Sequence, residues 1–315
     1  MTAIEALGAD TVTAVRVFTA LGGGMWLAAM YATLRAVGCR ATDAVGFTAL
    51  AAVSGAGLFI VPVPESFALG GASMLAVMAI LALTRRRSVS AAAEVGASVA
   101  SFGFTLTNGM AAIAASLVRR PWVRSAAVLA GSAAIVLAIF VAMAVLFPTF
   151  RAVPSLEAEE RFILHPAAGG PWHSAAAALS HGMVVPEVGQ VRAPSGVRAL
   201  SVQRSWPGTG TPLAPIAVSA WAGLLGLGAW ALIRGNRGPA RLALALTVAG
   251  QVGLHLVYGE EVFVFSPHLI PLLIVAAGTA TLTGLRRWSL ILLGIVLVAG
   301  GVNNAIQLSR AIDLL

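Results

Sequence analysis

The stretch 258–271, YGEEVFVFSPHLIP, sets Tyr258, Glu260 and Glu261 directly against an apolar run that holds His268 between Pro267 and Pro271, and His255 stands three residues before Tyr258. Carboxylates and imidazoles exchange protons, and an ionisable group beside a membrane-length apolar run is a candidate for function by default. Pro267 suits a first helical turn, where its missing N–H has no partner anyway. Pro271, four residues on, kinks the helix or loosens that turn. Backbone groups freed at membrane depth persist only against protein or a water-filled cavity. Glu260 and Glu261 therefore have two readings, as the rim of a substrate site or as anchors of a helix end at the interface.

Other polar residues stand at the ends of apolar runs. Arg16 opens the first run, and its guanidinium either snorkels to the interface or forks two N–H donors onto a phosphate. Glu65 follows Pro64 in VPVPES, 61–66, between two apolar runs. His165, His173 and His181 recur at intervals of eight, without the Cys or close Asp partners of a zinc set, and read as part of a structural segment or a lid. Trp172 and Trp206 suit a membrane surface or a ligand, and 156–162, LEAEERF, suits a short exposed helix. Thr107 and Asn108, in TLTNG, suit backbone groups freed where an apolar segment breaks, or a substrate.

These groups must be held by membrane helices. Hydrophobic residues make up 58% of the chain and charged residues 10%, where a soluble domain has about 25% charged. At a mean hydropathy of +0.90 the chain cannot cover itself with polar surface in water. Spans of roughly 20 apolar residues fit about 13–34, 44–62, 66–84, 125–147, 213–233, 241–258, 263–284 and 288–308. The expected fold is all-α, a polytopic transmembrane bundle of about eight spans with a re-entrant or paired short-helix segment at 89–118. Three parts are expected, an N-terminal bundle at 1–147, an external soluble loop of about 65 residues at 148–212, and C-terminal helices at 213–315.

Every one of the twenty basic residues is arginine, and most stand at the ends of apolar runs, the pattern of topology signals and not of a nucleic-acid surface. Thirteen of them (Arg35, Arg40, Arg85–Arg87, Arg119, Arg120, Arg124, Arg234, Arg237, Arg241, Arg286 and Arg287) fall on one side, which is then cytoplasmic. Most acidic residues fall opposite, Asp43 and Glu94 excepted. The expected location is the inner, plasma membrane, with the polar groups facing the exterior or periplasm. Glu5 and Asp10, not a basic segment, precede the first apolar run, so no cleaved signal peptide is expected. The single Cys39 gives no disulfide framework.

An Arg-led helix (14–38), a small-residue span ending in PVPES, a wet loop and an aromatic-Ser-Pro-His-x-x-Pro helix start follow one another in that order. This order resembles the C-type membrane glycosyltransferases, the superfamily of protein O-mannosyltransferases and aminoarabinose transferases, over about 14–84 and 213–308. The resemblance implies transfer of a sugar from a polyprenyl-phosphate carrier in the bilayer to a glycan or protein acceptor at the external face. It gives Arg16 the carrier phosphate and Glu65 a place on the external rim. It makes VFSPHLIPLL similar to that superfamily's RYLLP-type segment, without its arginine. Asp10, Glu65 and Glu260 are then the candidate general bases, with Glu261, His268, Tyr258 and His255 on the substrate rim. No metal ligand set is implied and no cofactor, although a divalent cation is compatible with the scheme.

The superfamily's catalytic Asp lies in a first external loop that precedes the Arg-led helix, and only Glu5 and Asp10 stand there in this sequence. The expectation is a truncated or inactive core, or one completed by a partner membrane subunit. Two further classes remain open. One is a non-catalytic subunit that scaffolds glycan or envelope assembly, and the other is a secondary transporter with its site at 89–118, although no internal repeat supports the latter.

Overall fold

Asp10 opens the first helix, α1 (Thr11–Val37), its carboxylate accepting from the Thr13 amide and hydroxyl at 2.9 Å each. This satisfies a donor left free at the helix start. Gly38, at φ 118°, closes the helix in the left-handed conformation that suits glycine. The computed structural model describes residues 10–84, 88–147, 163, 169–192, 198–235 and 238–315. Glu5, Arg85–Arg87, Arg237, His165 and the helix expected at 156–162 lie outside them.

The chain continues through α2 (Ala41–Val53), a π-helical turn (Ala56–Ile60), α3 (Phe67–Leu83), α4 (Ala91–Phe104), α5 (Gly109–Arg119) and α6 (Trp122–Leu146). Then come α7 (Pro171–Ser180), a hairpin of β1 (Gly189–Arg192) and β2 (Arg198–Ser201), α8 (Ala214–Arg234), α9 (Pro239–Val257) and α10 (Ser266–Gly278). The last helix is interrupted by a second π-helical turn, giving α11 (Arg286–Ile295) and α12 (Gly301–Leu314). Among the described residues six segments are long and apolar enough to cross a membrane: Thr11–Val37, Trp122–Leu146, Ala214–Arg234, Pro239–Val257, Val262–Leu282 and Arg286–Leu314. The helices α2, α3 and α4 are apolar but shorter. The protein is an all-α, multi-pass membrane bundle that carries a small hairpin among the described residues.

Every residue of α10 is buried, as befits a helix that is apolar on all sides. It packs among α1, α2, α3, α8 and α9. Its depth is fixed by Trp26, whose indole N–H donates to the Pro267 carbonyl at 3.0 Å. Gly71 permits this approach, because a Cβ there would lie 2.2 Å from that carbonyl oxygen. Trp26 is ten residues from Arg16 and nine from Arg35 along α1, about 15 Å and about 14 Å at helical rise. The start of α10 therefore sits midway along the bundle.

The expected break at 89–118 takes the form of two helices. Arg119 and Arg120, at the end of α5, each donate to one oxygen of Glu94, in the first turn of α4. The distal ends of the pair join through a 3-10 turn at Leu106–Asn108, held by the Ser101 hydroxyl on the Asn108 carbonyl at 2.6 Å. Both open ends thus point the same way. Asp43, 2% exposed, receives the Nε and Nη2 of Arg286 at 3.0 and 2.7 Å and joins α2 to α11.

One expectation changes. Residues 173–185 were expected in a water-exposed loop, yet His173, Ser174, Ala177, Ala178 and Ser180 through Val185 are buried. The segment packs on α9 and α10, and the helices supply partners for its backbone. Asn304 accepts from the Val185 amide at 2.8 Å and donates to the Met183 carbonyl at 2.8 Å and the Val53 carbonyl at 2.9 Å. Asn303 donates to the Val185 carbonyl at 2.8 Å, and the Ala56 amide donates to the Gly182 carbonyl at 2.7 Å. Irregular backbone enters a helical bundle only when every polar group is met in this way. The apolar run AAAALSHGMVV, 175–185, drives the burial, and averaging over a Pro- and Gly-rich segment conceals it.

Candidate functional site in the helical bundle

His268 lies two residues into α10 and is 2% exposed. Its Nε2 has no hydrogen-bond partner in the protein, and the Phe67 ring lies 5.9 Å away. Across from it is Asn108 in the α4–α5 turn, fully buried, with both its amide oxygen and its amide nitrogen unpartnered. Gly70 of α3 makes this meeting possible. A Cβ there would lie 2.7 Å from Nε2 of His268 and 2.8 Å from Nδ2 of Asn108, so both side chains occupy the space a larger residue would fill. Beside them Gln251 of α9 donates to the Thr107 carbonyl at 3.3 Å, tying the turn to a third helix.

His255, near the end of α9, stacks on Phe265 at 5.2 Å, and neither of its ring nitrogens makes a hydrogen bond in the protein. Phe265 also lies 6.2 Å from Phe67 and 6.4 Å from Tyr258. Ser266, whose hydroxyl is buried and unpartnered, borders the same gap as His255, between α7, α9 and α10. Buried polar atoms in native proteins are nearly always satisfied by protein or water. Such exceptions concentrate around the start of α10.

Of the sequence candidates, His255, Tyr258 and His268 converge around Phe265 and Phe67. Glu261 is held elsewhere. Its Oε2 accepts from the Ser201 hydroxyl, and the Gln203 side-chain oxygen accepts from the Val262 amide at 3.0 Å, so Glu261 fastens the hairpin to the α9–α10 turn. Burial pushes its carboxyl above the ordinary range, opposed by the Ser201 hydroxyl and the amides of Val202 and Gln203. Glu260 is half-buried beside it, and Tyr258 pairs with Ile163 in an isolated antiparallel bridge.

Asp10 is spent as the cap of α1, where the Thr13 amide and hydroxyl hold its carboxyl below its usual value. Arg16 and Glu65 are exposed, Arg16 about 15 Å along α1 from the level of His268. Asp10 and Arg16 stand at the start of α1, Glu65 just before α3 and Glu260 just before α10. The structure adds Ser266, His173 and His181, which the sequence offered as a helix start and as parts of a structural segment or lid, and of the two readings of Asn108, backbone partner or substrate contact, it leaves the side chain buried and unpartnered. Among the described residues no three His, Cys, Asp or Glu side chains share a metal-binding arrangement. Comparison with family models, with curated proteins and with solved structures returns no match.

Proposed function

We propose that the protein carries a small polar solute across the bilayer and binds it where the α4–α5 turn meets the start of α10. The observation that carries this reading is the facing pair Asn108 and His268, buried midway along the bundle with unpartnered polar atoms on both. Ionisable residues at such depth mark substrate or ion pathways, and carriers build their sites from interrupted helices near the midplane. An amide supplies two donors and an acceptor, and the His268 ring, already bonded to the Phe67 backbone, supplies its Nε2 alone. That set matches an uncharged or zwitterionic polar solute. In this reading α1, α2 with its π turn, α3, α6, α8, α9, α10 and the joined α11–α12 cross the membrane. The α4–α5 pair enters and leaves at one face, and the arginine-rich ends mark the cytoplasmic face of the plasma membrane.

The test needs no known solute. In a Cys39→Ser background, Asn108→Cys is placed in liposomes and offered a membrane-impermeant methanethiosulfonate from each face. A carrier site is reached by water from at least one face, so labelling is expected. A thiol that reacts from neither face, in a protein that still reacts fully once dissolved in denaturant, overturns the reading.

A second reading keeps the glycosyl-transfer chemistry. Arg16 and Glu65 are both exposed, and Arg16 lies where the outer membrane boundary would fall if Arg35 marks the inner one. A polyprenyl phosphate lies within reach of such a guanidinium. Transfer of labelled sugar from a polyprenyl-phosphate donor, lost in Arg16→Ala, is the expected result of that scheme, and equal transfer by both proteins removes the phosphate role.

A further inference from the structure

Two residues of α4 are buried, and both are serines, Ser98 and Ser101. With Glu94 they stand at i, i+4 and i+7, on one face of the helix. The row begins where Arg119 and Arg120 hold the Glu94 carboxylate. It ends at the Ser101 hydroxyl, which donates to the Asn108 carbonyl at 2.6 Å. Seven residues separate the two ends, about 10 Å at helical rise. Ala112 and Ser116 of α5 face this row across a cavity of about 30 Å³, closed by Val77 and Leu81 of α3 and Val128 of α6. That is room for a water molecule. Ser116 is 6% exposed, and its hydroxyl has no partner in the protein.

Small residues let membrane helices approach closely, but close approach alone would leave neither a cavity nor an orphan hydroxyl. Unpartnered polar atoms stand at both ends of this seam, Ser116 behind the ion pairs and Asn108 at the inner end. The ion pairs form its outer end. The Arg119 and Arg120 side chains are 32% and 22% exposed, whereas the Glu94 side chain beneath them is 10% exposed. They tie together the two open ends of the α4–α5 pair, at the end of the bundle where the arginines gather. Solvent weakens ion pairs in such a position, so they can part at small cost.

We propose that this seam is the passage by which water and solute reach the Asn108–His268 site from the arginine-rich face, with Glu94, Arg119 and Arg120 as the gate at its mouth. This rests on the carrier reading and supplies its entrance on that face. In this structure the gate is shut. Opening it separates Glu94 from the two guanidiniums, and the ends of α4 and α5 part about the 3-10 turn at Leu106–Asn108. Ser101 and Gln251 hold that turn in place. The Ser116 hydroxyl is then an uncommitted polar group just inside the gate, and Asn108 offers the next ones at the far end.

The measurement is the rate at which a membrane-impermeant methanethiosulfonate labels Asn108→Cys, in the Cys39→Ser background, from each face of the liposome. Glu94→Gln is expected to raise that rate several-fold from the arginine-rich face and to leave the opposite face unchanged. Ser98→Leu, which fills the cavity, is expected to lower it from the arginine-rich face. If Glu94→Gln does not fold, judged by its elution and thermal unfolding, Arg119→Gln is measured in its place. A folded Glu94→Gln or Arg119→Gln labelled from the arginine-rich face at the parent rate overturns the gate. A folded Ser98→Leu labelled from there at the parent rate overturns the passage. The two faces separate this inference from the reading beneath it. Labelling from the opposite face alone, in parent and Glu94→Gln alike, removes the passage and leaves the carrier. Labelling from neither face in any of these proteins removes both.

Discussion

His268 and Asn108 meet over the bare face of Gly70, each within 2.8 Å of where a Cβ on that glycine would stand. Three chain segments therefore have one small residue as their common floor. Gly70→Ala is expected to push the two side chains apart and strain α3 against α10. Forced overpacking of this kind typically costs about 1–3 kcal/mol. Thermal unfolding in detergent measures it, and an unchanged midpoint would show that the neighbours yield freely.

Asn304 serves three backbone groups, the Val185 amide and the carbonyls of Met183 and Val53. Asn304→Ala leaves them buried and unpaired, at about 1–3 kcal/mol each before relaxation. The expected outcome is a large fall in the unfolding midpoint together with proteolysis within 181–185. A variant with native stability and no new cleavage would show that water replaces the amide.

The Asp43–Arg286 pair gives an asymmetric expectation. Arg286→Ala leaves a carboxylate that is 2% exposed without its partner, and stranding a buried charge in this way is destabilising. Since Arg286 is 35% exposed, solvent screens the pair and the loss is smaller than for two buried charges. Asp43→Asn combined with Arg286→Ala should recover much of it, because no charge is then stranded. Denaturation of the single and double variants checks this, and additive losses would contradict it.

Glu261 predicts a pH dependence. Burial raises its carboxyl in the folded protein, so the native state holds its proton to higher pH than the unfolded chain does. The more proton-rich state is favoured as pH falls. This group's contribution to stability is therefore greatest below the ordinary carboxylate value and declines as pH rises through the interval up to the raised one. Glu261→Gln should flatten that part of the profile, read by thermal unfolding across the acid-to-neutral range. A slope identical to the wild type would assign it to another group.

Much of the bundle was legible because its signals are local. The apolar runs gave the long helices. Glu94, the polar TLTNG and the arginines after position 118 gave the broken segment at 89–118, and the prolines around His268 gave the start of α10. The site was only half legible. His268, His255 and Tyr258 stand close in sequence, so composition and spacing could single them out. Asn108 owes its place to Gly70 and His268, which lie far away along the chain, and no periodicity encodes such a meeting. His173 and His181 were hidden by the polar average of their segment, whereas the alanines between them were the signal that the segment goes inside. Asp10 has a use that spacing alone leaves open, as the cap of α1.

The Asn304 clasp also has a consequence for how the protein is made. Its partners Val53 and Met183 precede it by 251 and 121 residues. At synthesis rates of about 5–20 residues per second, roughly 10 seconds or more separate the emergence of Val53 from that of Asn304. Throughout that time the 181–185 segment lacks the amides that satisfy its backbone inside the bundle. The earlier segments therefore stay unfastened at this place until α12 has been made and Asn304 can reach them.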